Sequence, residues 1–168
     1  MLDFKLRPWN IDDLDSLVKY ANNPNIGSNL SDGFPYPYTK ESGLAFIEKA
    51  ISQDPVNIMA IEIRGEASGG IGIHRQTDIF SMNAELGYWL AQTYWGNGIM
   101  TNAIIEMIKY GFEKFDIQRI FARPFGRNIG SQRVLEKAGF KLEAKFEKTI
   151  YKNGQYEDEW VYAVRRSN

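Results

Sequence analysis

Ala84-Glu85-Leu86-Gly87-Tyr88-Trp89-Leu90 runs as an apolar, strand-like segment into Tyr94-Trp95-Gly96-Asn97-Gly98-Ile99-Met100-Thr101, and a helical pattern leaves from near Gly98. This succession of strand, glycine bend and helix decides how the rest of the chain is read. Glycine has no Cβ, so at such a junction neighbouring backbone N–H groups can crowd together and aim at one spot. That spot lies at the positive end of the following helix, which suits a phosphate or pyrophosphate. Alone, a Gly-x-Gly bend is a weak signal, because most such bends only reverse the chain. The flanking residues exclude two familiar phosphate loops. A P-loop needs Lys and Ser/Thr after its last glycine, where this chain has Ile99 and Met100. A dinucleotide fingerprint needs a third glycine, and Thr101 stands in its place.

The bulk properties narrow the classes. A chain of 168 residues makes one compact domain, spanning 1–168, and is too short for two ordinary ones. It needs no disulfide or metal staple, since a domain of this size buries roughly 70% of its unfolded surface. There is no cysteine, which excludes thiol catalysis, disulfides and zinc–thiolate sites and fits a reducing compartment. Net charge is −1 with no block of like charge, which argues against duplex nucleic acid as a partner. Met1-Leu2-Asp3-Phe4-Lys5 lacks the apolar run of a signal peptide, and no stretch is long enough to span a bilayer. The expectation is a soluble cytoplasmic protein, monomeric or homodimeric, with no metal.

Periodicity predicts seven strands and four helices. The strands are Phe4 to Trp9, Val56 to Ile63, Ser68 to His74, Asn83 to Leu90, Arg119 to Arg123, Phe140 to Ile150 and Tyr156 to Val164. Helices follow Asn10, Thr39, Gly98 and Asn128, three of them opened by N-cap residue types. Asn22-Asn23-Pro24-Asn25 breaks the first helix, and the proline-aromatic run to Tyr38 reads as a loop. Asn153-Gly154 joins the last two strands as a tight hairpin turn. The result is one mixed α+β domain without repeats or linkers.

The second segment that carries chemistry is Asn128-Ile129-Gly130-Ser131 with Glu136-Lys137-Ala138-Gly139-Phe140. Its local reading is an N-cap at Asn128, a first-turn serine and a C-cap glycine at Gly139. Taken with Leu6-Arg7-Pro8-Trp9, Asp12-Asp13, Tyr36-Pro37, Glu85 to Leu90 and Tyr94-Trp95-Gly96-Asn97-Gly98, it resembles the GNAT acetyltransferase superfamily, most closely its RimJ/RimL-like branch. The matching run covers nearly the whole chain. The resemblance implies a three-layer fold, with a mostly antiparallel sheet of about seven strands splayed between the fourth and fifth and about four flanking helices. It also implies acetyl-CoA as cofactor and N-acetyl transfer to a primary amine, either a protein N-terminus or a small molecule.

By that resemblance, the backbone of Tyr94, Trp95, Gly96, Asn97, Gly98, Ile99 and Met100 holds the CoA pyrophosphate, and Asn128 bonds the amide-bearing arm. That arm lies as an extra strand in the splay, against Leu86, Tyr88, Trp89 and Leu90 on one side and Ile120 to Arg123 on the other. The superfamily usually opens its loop with Gln or Arg; here Thr93 stands there, shifting the load to main-chain donors. The tyrosine acid common late in the last helix is replaced by Leu135, and the RimJ/RimL-like pattern offers Ser131 beside the thioester sulfur instead. Deprotonating an ammonium calls for a carboxylate in a shielded cleft, and Glu85, inside an apolar strand beside the bend, is the candidate base. A solvent-facing structural role for Glu85 stays open, as does the choice among the N–H groups of Leu86, Tyr88 and Leu90 for the oxyanion.

Trp9, Phe34, Tyr36 and Tyr38, with Glu85, are the candidate acceptor residues, although core packing explains such aromatics equally well. Asp32, Glu41, Glu157 and Asp158 are carboxylates that could attract a cationic acceptor. His74, the single histidine, reads as a surface or packing residue. The competing function is a non-catalytic acyl-CoA-binding module.

Overall fold

The computed structural model describes residues 2–167. Its elements are β1 (Lys5–Pro8), α1 (Leu14–Ala21), α2 (Pro24–Gly27), α3 (Lys40–Ile51), β2 (Ile58–Ile63), β3 (Glu66–Arg75), β4 (Asn83–Leu90), α4 (Ile99–Lys114), β5 (Arg119–Ala122), α5 (Ile129–Lys137), β6 (Lys141–Lys152) and β7 (Gln155–Arg165). All seven strands join one sheet in the order β1-β2-β3-β4-β5-β7-β6. Every junction is antiparallel except β4 with β5. The mixed α+β fold and its seven strands are those expected from the sequence.

One element is additional. The stretch read as a helix breaker forms the single helical turn α2, because Asn23 caps it by accepting from the Asn25 N–H and Pro24 takes the first helical position. Proline has no N–H to lose there, and its fixed φ already suits a helix.

Strand alternation divides the sheet into two apolar faces. One face carries Ile61, Ile63, Ile71, Ile73, Leu86 and Leu90, covered by α4 and α5. The other carries Ile58, Ala60 and Trp89, covered by α1 and α3 with Trp9 and Tyr38. Helix α4 lies close across the first face: a Cβ at Gly111 would overlap Ile73 of β3 and come within 3.3 Å of Ile120 of β5. The last hairpin turns at Asn153 and Gly154, both with positive φ (51° and 78°), the geometry an Asn-Gly pair favours. Among the described residues, no helix is long and apolar enough to cross a membrane.

Candidate active site

The parallel junction is short. Only Asn83, Ala84 and Glu85 of β4 pair with Arg119, Ile120 and Phe121 of β5. Beyond Ala122 the chain stays with β7, through the Phe125–Glu159 bridge and the Trp160 N–H to Pro124 carbonyl bond of 3.0 Å. Strand β4 instead continues along β3 as far as Leu90, so a gap opens between β4 and β5.

Which groups of β4 face this gap follows from the antiparallel ladder on its other side. Ala91 donates to the Ser68 carbonyl at 2.8 Å and Asn83 accepts from the Gln76 N–H at 2.9 Å. Odd-numbered residues therefore bond with β3, and the even-numbered Leu86, Tyr88 and Leu90 turn their N–H and C=O groups toward the gap. The Leu90 carbonyl is already occupied by the Trp95 indole Nε1–H at 2.8 Å. That bond anchors the glycine bend to the end of β4.

The bend opens with a 3₁₀ turn, in which Tyr94 and Trp95 donate to Ala91 and Gln92. Gly96 and Gly98 then adopt φ of 78° and 76°, and Gly98 is the N-cap of α4. The Asn97 carboxamide donates to the carbonyls of Tyr94 and Trp95, both at 3.1 Å, pulling those oxygens inward. The N–H groups of Gly96, Asn97 and Gly98 bond no carbonyl of the turn, and the first-turn N–H groups of α4 have no intrahelical partner. The side chains of Ile99 and Met100 are buried in the core, so both residues offer only main-chain donors. Clustered donors at the positive end of a 16-residue helix fit a diphosphate, and the adjacent gap fits an extended, amide-bearing arm.

On the α5 side, Asn128 caps the helix through Oδ1, which accepts from the Ser131 N–H at 3.1 Å. Ser131 Oγ lies 2.6 Å from the Tyr88 hydroxyl, a bond joining α5 to the gap-facing strand. Burial pushes the Tyr88 pKa well above the ordinary phenol value, and the Ser131 contact offsets this only in part. Tyr88 therefore keeps its proton at any physiological pH. Leu135 is fully buried, so the helix position at which the superfamily usually carries a tyrosine is here part of the core.

Glu85 lies on the opposite sheet face, as do the other odd-numbered side chains of β4. Both carboxylate oxygens accept from Arg123 at 3.0 Å, and Arg123 also reaches Glu159 at 3.3 Å. The Glu85 hydrogen bonds raise the pKa of the Arg123 guanidinium. His74 is opposite Glu85 on β3, with its ring over Gly72 and Gly87. Burial holds the His74 pKa below its usual value, and the Glu85 charge opposes that shift.

The acceptor candidates divide. Trp9 and Tyr38 are each 4% exposed and belong to the helix–sheet core. Burial pushes the Tyr38 hydroxyl up to about 12. Phe34 and Tyr36 instead line a cavity of about 360 Å³ between the α2 region and the tip of the β6–β7 hairpin. The Phe34 ring centroid is 5.7 Å from that of Trp89, which packs this wall of the cavity against β4. Of the acidic candidates, Asp32 pairs with Lys152 at 2.7 Å and Glu157 with Arg127 at 2.7 Å. Asp158 accepts from the Lys148 N–H. Glu41 lies in the first turn of α3, away from this group.

Sequence reasoning missed four partners: Arg123, the Tyr88 hydroxyl, Lys152, and Arg127, which joins Glu157 to Asn29 Oδ1 and the Ser28 carbonyl. These contacts lie between 30 and 120 residues apart in sequence. The period-2 pattern of β4 was the one available signal, since it puts Tyr88 on the face away from Glu85.

Comparison with known proteins identifies the family. Residues 3–141 match the family model described as an acetyltransferase (GNAT) domain. Probable N-acetyltransferase YjcK of Bacillus subtilis is 43% identical over 81 residues, covering 48% of this chain and 45% of the relative. The match thus spans about half of that protein. Uncharacterized N-acetyltransferase YnaD, also of Bacillus subtilis, is 26% identical over 161 residues, covering 95% of this chain and 91% of YnaD. Among solved structures, the RimL ribosomal L7/L12 α-N-protein acetyltransferase in complex with coenzyme A superposes with a TM-score of 0.84. Its identity is 22%, and the alignment covers 96% of this chain and 93% of that one.

Proposed function

Because the chain belongs to the GNAT acetyltransferase family, we propose that it transfers an acetyl group from acetyl-CoA to a primary amine, as a single catalytic domain over residues 1–168. One arrangement carries the reading. Unpaired main-chain donors of β4 face a gap, the glycine bend lies at one end of that gap, and the Tyr88–Ser131 hydroxyl pair flanks it. The bend amides from Gly96 to Met100 would hold the diphosphate, and Asn128 the pantetheine amides. Acetyl-CoA supplies a thioester, whose carbonyl is open to an amine nucleophile and whose sulfur leaves as a thiolate.

This chain's residues have three tasks. The Leu86, Tyr88 or Leu90 N–H, already turned into the gap, donates to the oxygen on which negative charge develops. Ser131 offers its hydroxyl to the departing sulfur, with Tyr88 fixing the orientation of that hydroxyl through the 2.6 Å bond. Glu85 takes the proton of the amine, directly or through water, from the opposite face. Arg123 holds both carboxylate oxygens, so it fixes the orientation of that base.

Charge pairing supports a peptide or protein N-terminus over a polyamine. Glu85, Glu157 and Asp32 each have a cationic partner within the chain, which leaves little uncompensated negative charge for a polycation. The proposed compartment is the cytoplasm, in keeping with the absence of cysteine. The test is thiol release from acetyl-CoA against a panel of peptides and small amines, with the acetylated product identified by mass spectrometry. CoA binding without release for every amine would favour a non-catalytic module instead.

A further inference from the structure

The Lys152–Asp32 pair is strongly asymmetric. The Lys152 side chain is 10% exposed, whereas that of Asp32 is 86% exposed. Lys152 ends β6 next to the Asn153-Gly154 turn, a short, well-defined bend that holds its backbone. Asp32 sits on the loop before Phe34, outside any helix or strand. An ammonium carries three N–H donors; among the described residues its one acceptor is Asp32, at 2.7 Å. Arg123 and Arg127 are by contrast fully engaged. Arg123 has two carboxylate partners, and Arg127 has a carboxylate, a carboxamide and a carbonyl. Lys152 is therefore a cation taken out of water, with donors to spare, and its counter-ion is held by little.

That cation lines the 360 Å³ cavity, together with Asp32, Phe34, Pro35, Tyr36 and Asn153. One wall of the cavity, Phe34, packs against Trp89 of β4. An ion pair whose acid is this exposed contributes little stability, so exchanging Asp32 for an incoming anion costs little. The newcomer gains a charge-assisted bond in partly dry surroundings. Resting on the acetyltransferase reading, we propose that Lys152 anchors an anionic group, carboxylate or phosphate, carried by the acceptor amine. Asp32 occupies that position until the acceptor arrives. The acceptor class is then an amine whose own chain also carries an acid, such as an acidic peptide N-terminus.

The experiment compares tetrapeptide amides that carry glutamate, glutamine or phosphoserine at the second or third position. Acetylation is followed by thiol release, and binding by calorimetry in the presence of CoA. The expected kcat/KM for an acidic peptide exceeds that for its glutamine counterpart about tenfold, and Lys152→Met brings the ratio close to one. Asp32→Asn, an exposed change that leaves the fold alone, raises the ratio by removing the competing carboxylate. The glutamate and phosphoserine arms identify which anion is preferred. Equal rates for glutamate and glutamine peptides overturn the Lys152 assignment while leaving the acetyltransferase reading intact. If no amine is acetylated, the enzymatic reading falls. Calorimetry then still decides the anion site: acid-dependent binding lost in Lys152→Met upholds it, and charge-blind binding or none refutes it.

Discussion

Replacing Gly98 with alanine separates the cost to the fold from the cost to the ligand. Gly98 holds φ at 76°, and an added Cβ would meet nothing within 4 Å. Folding therefore pays only backbone strain, about 1–2 kcal/mol for an L-residue in the left-handed region. Stiffening of the unfolded chain returns about 0.4–1 kcal/mol. The net loss of about 1 kcal/mol lowers the melting temperature by about 2–4 °C in a protein of this size. A bound diphosphate would meet the new methyl group and lose one main-chain donor, worth about 1.5–3 kcal/mol for a charged acceptor. The dissociation constant for CoA should then rise about 10- to 100-fold. Gly139→Ala is the control: its φ is 94°, its Cβ is equally free, and it lies past the C-terminus of α5, outside the bend. Melting curves and isothermal titration of both variants with CoA make the comparison. Matching CoA affinities in the two variants would falsify the diphosphate assignment to the bend.

Tyr88→Phe removes a buried hydroxyl bond and should lower kcat about tenfold with the KM for acetyl-CoA held, and Ser131→Ala should do the same. An unchanged kcat in Tyr88→Phe, beside a reduced one in Ser131→Ala, shows that the serine orients itself. Glu85→Gln should depress turnover across pH 6 to 9 while CoA binding stays intact; a rate equal to the parent enzyme's throughout that range puts the base elsewhere. At the far edge of the sheet, burial would raise the Asp13 pKa, but two 2.7 Å bonds from Arg7 outweigh it and hold the carboxyl below its ordinary 3.8. A depressed carboxylate stabilises the fold above its unfolded pKa, and that contribution is lost as pH falls through the lower folded value. The melting temperature should thus decline below about pH 4, and Asp13→Asn should be less stable at pH 7 with a shallower acid decline. An acid limb unaltered by Asp13→Asn would show that other carboxylates govern it.

The strands were legible because each carries its own apolar period. β4 was read to its observed ends, Asn83 and Leu90, and the hairpin followed from Asn153-Gly154 alone. The turn at Pro24 was misread because a proline that ends one helix can equally begin another, and the Asn23 cap decides which. At the site, the bend and Asn128 were visible as local backbone requirements. The partners of Glu85 and Ser131 were not, because a side chain's contacts depend on which strands become neighbours. Arg123 reaches Glu85 only because β5 lies parallel to β4, and no residue pattern near either position states that. Trp9 shows the converse limit: an aromatic near a proline fits a wall or a core, and only packing against Phe46 and the sheet decides for the core.

The sheet is stitched across its middle by three residue pairs, whereas the β3–β4 and β6–β7 seams have seven and eight. Helix α4 bolts the two halves together from one side, seated on Ile73 of the first and Ile120 of the second. A protein built this way has a natural crack line, and whatever enters the crack with amides to share adds rungs that the chain itself does not supply. Occupancy should then slow amide exchange on both banks at once, in β4 and in the 122–126 stretch.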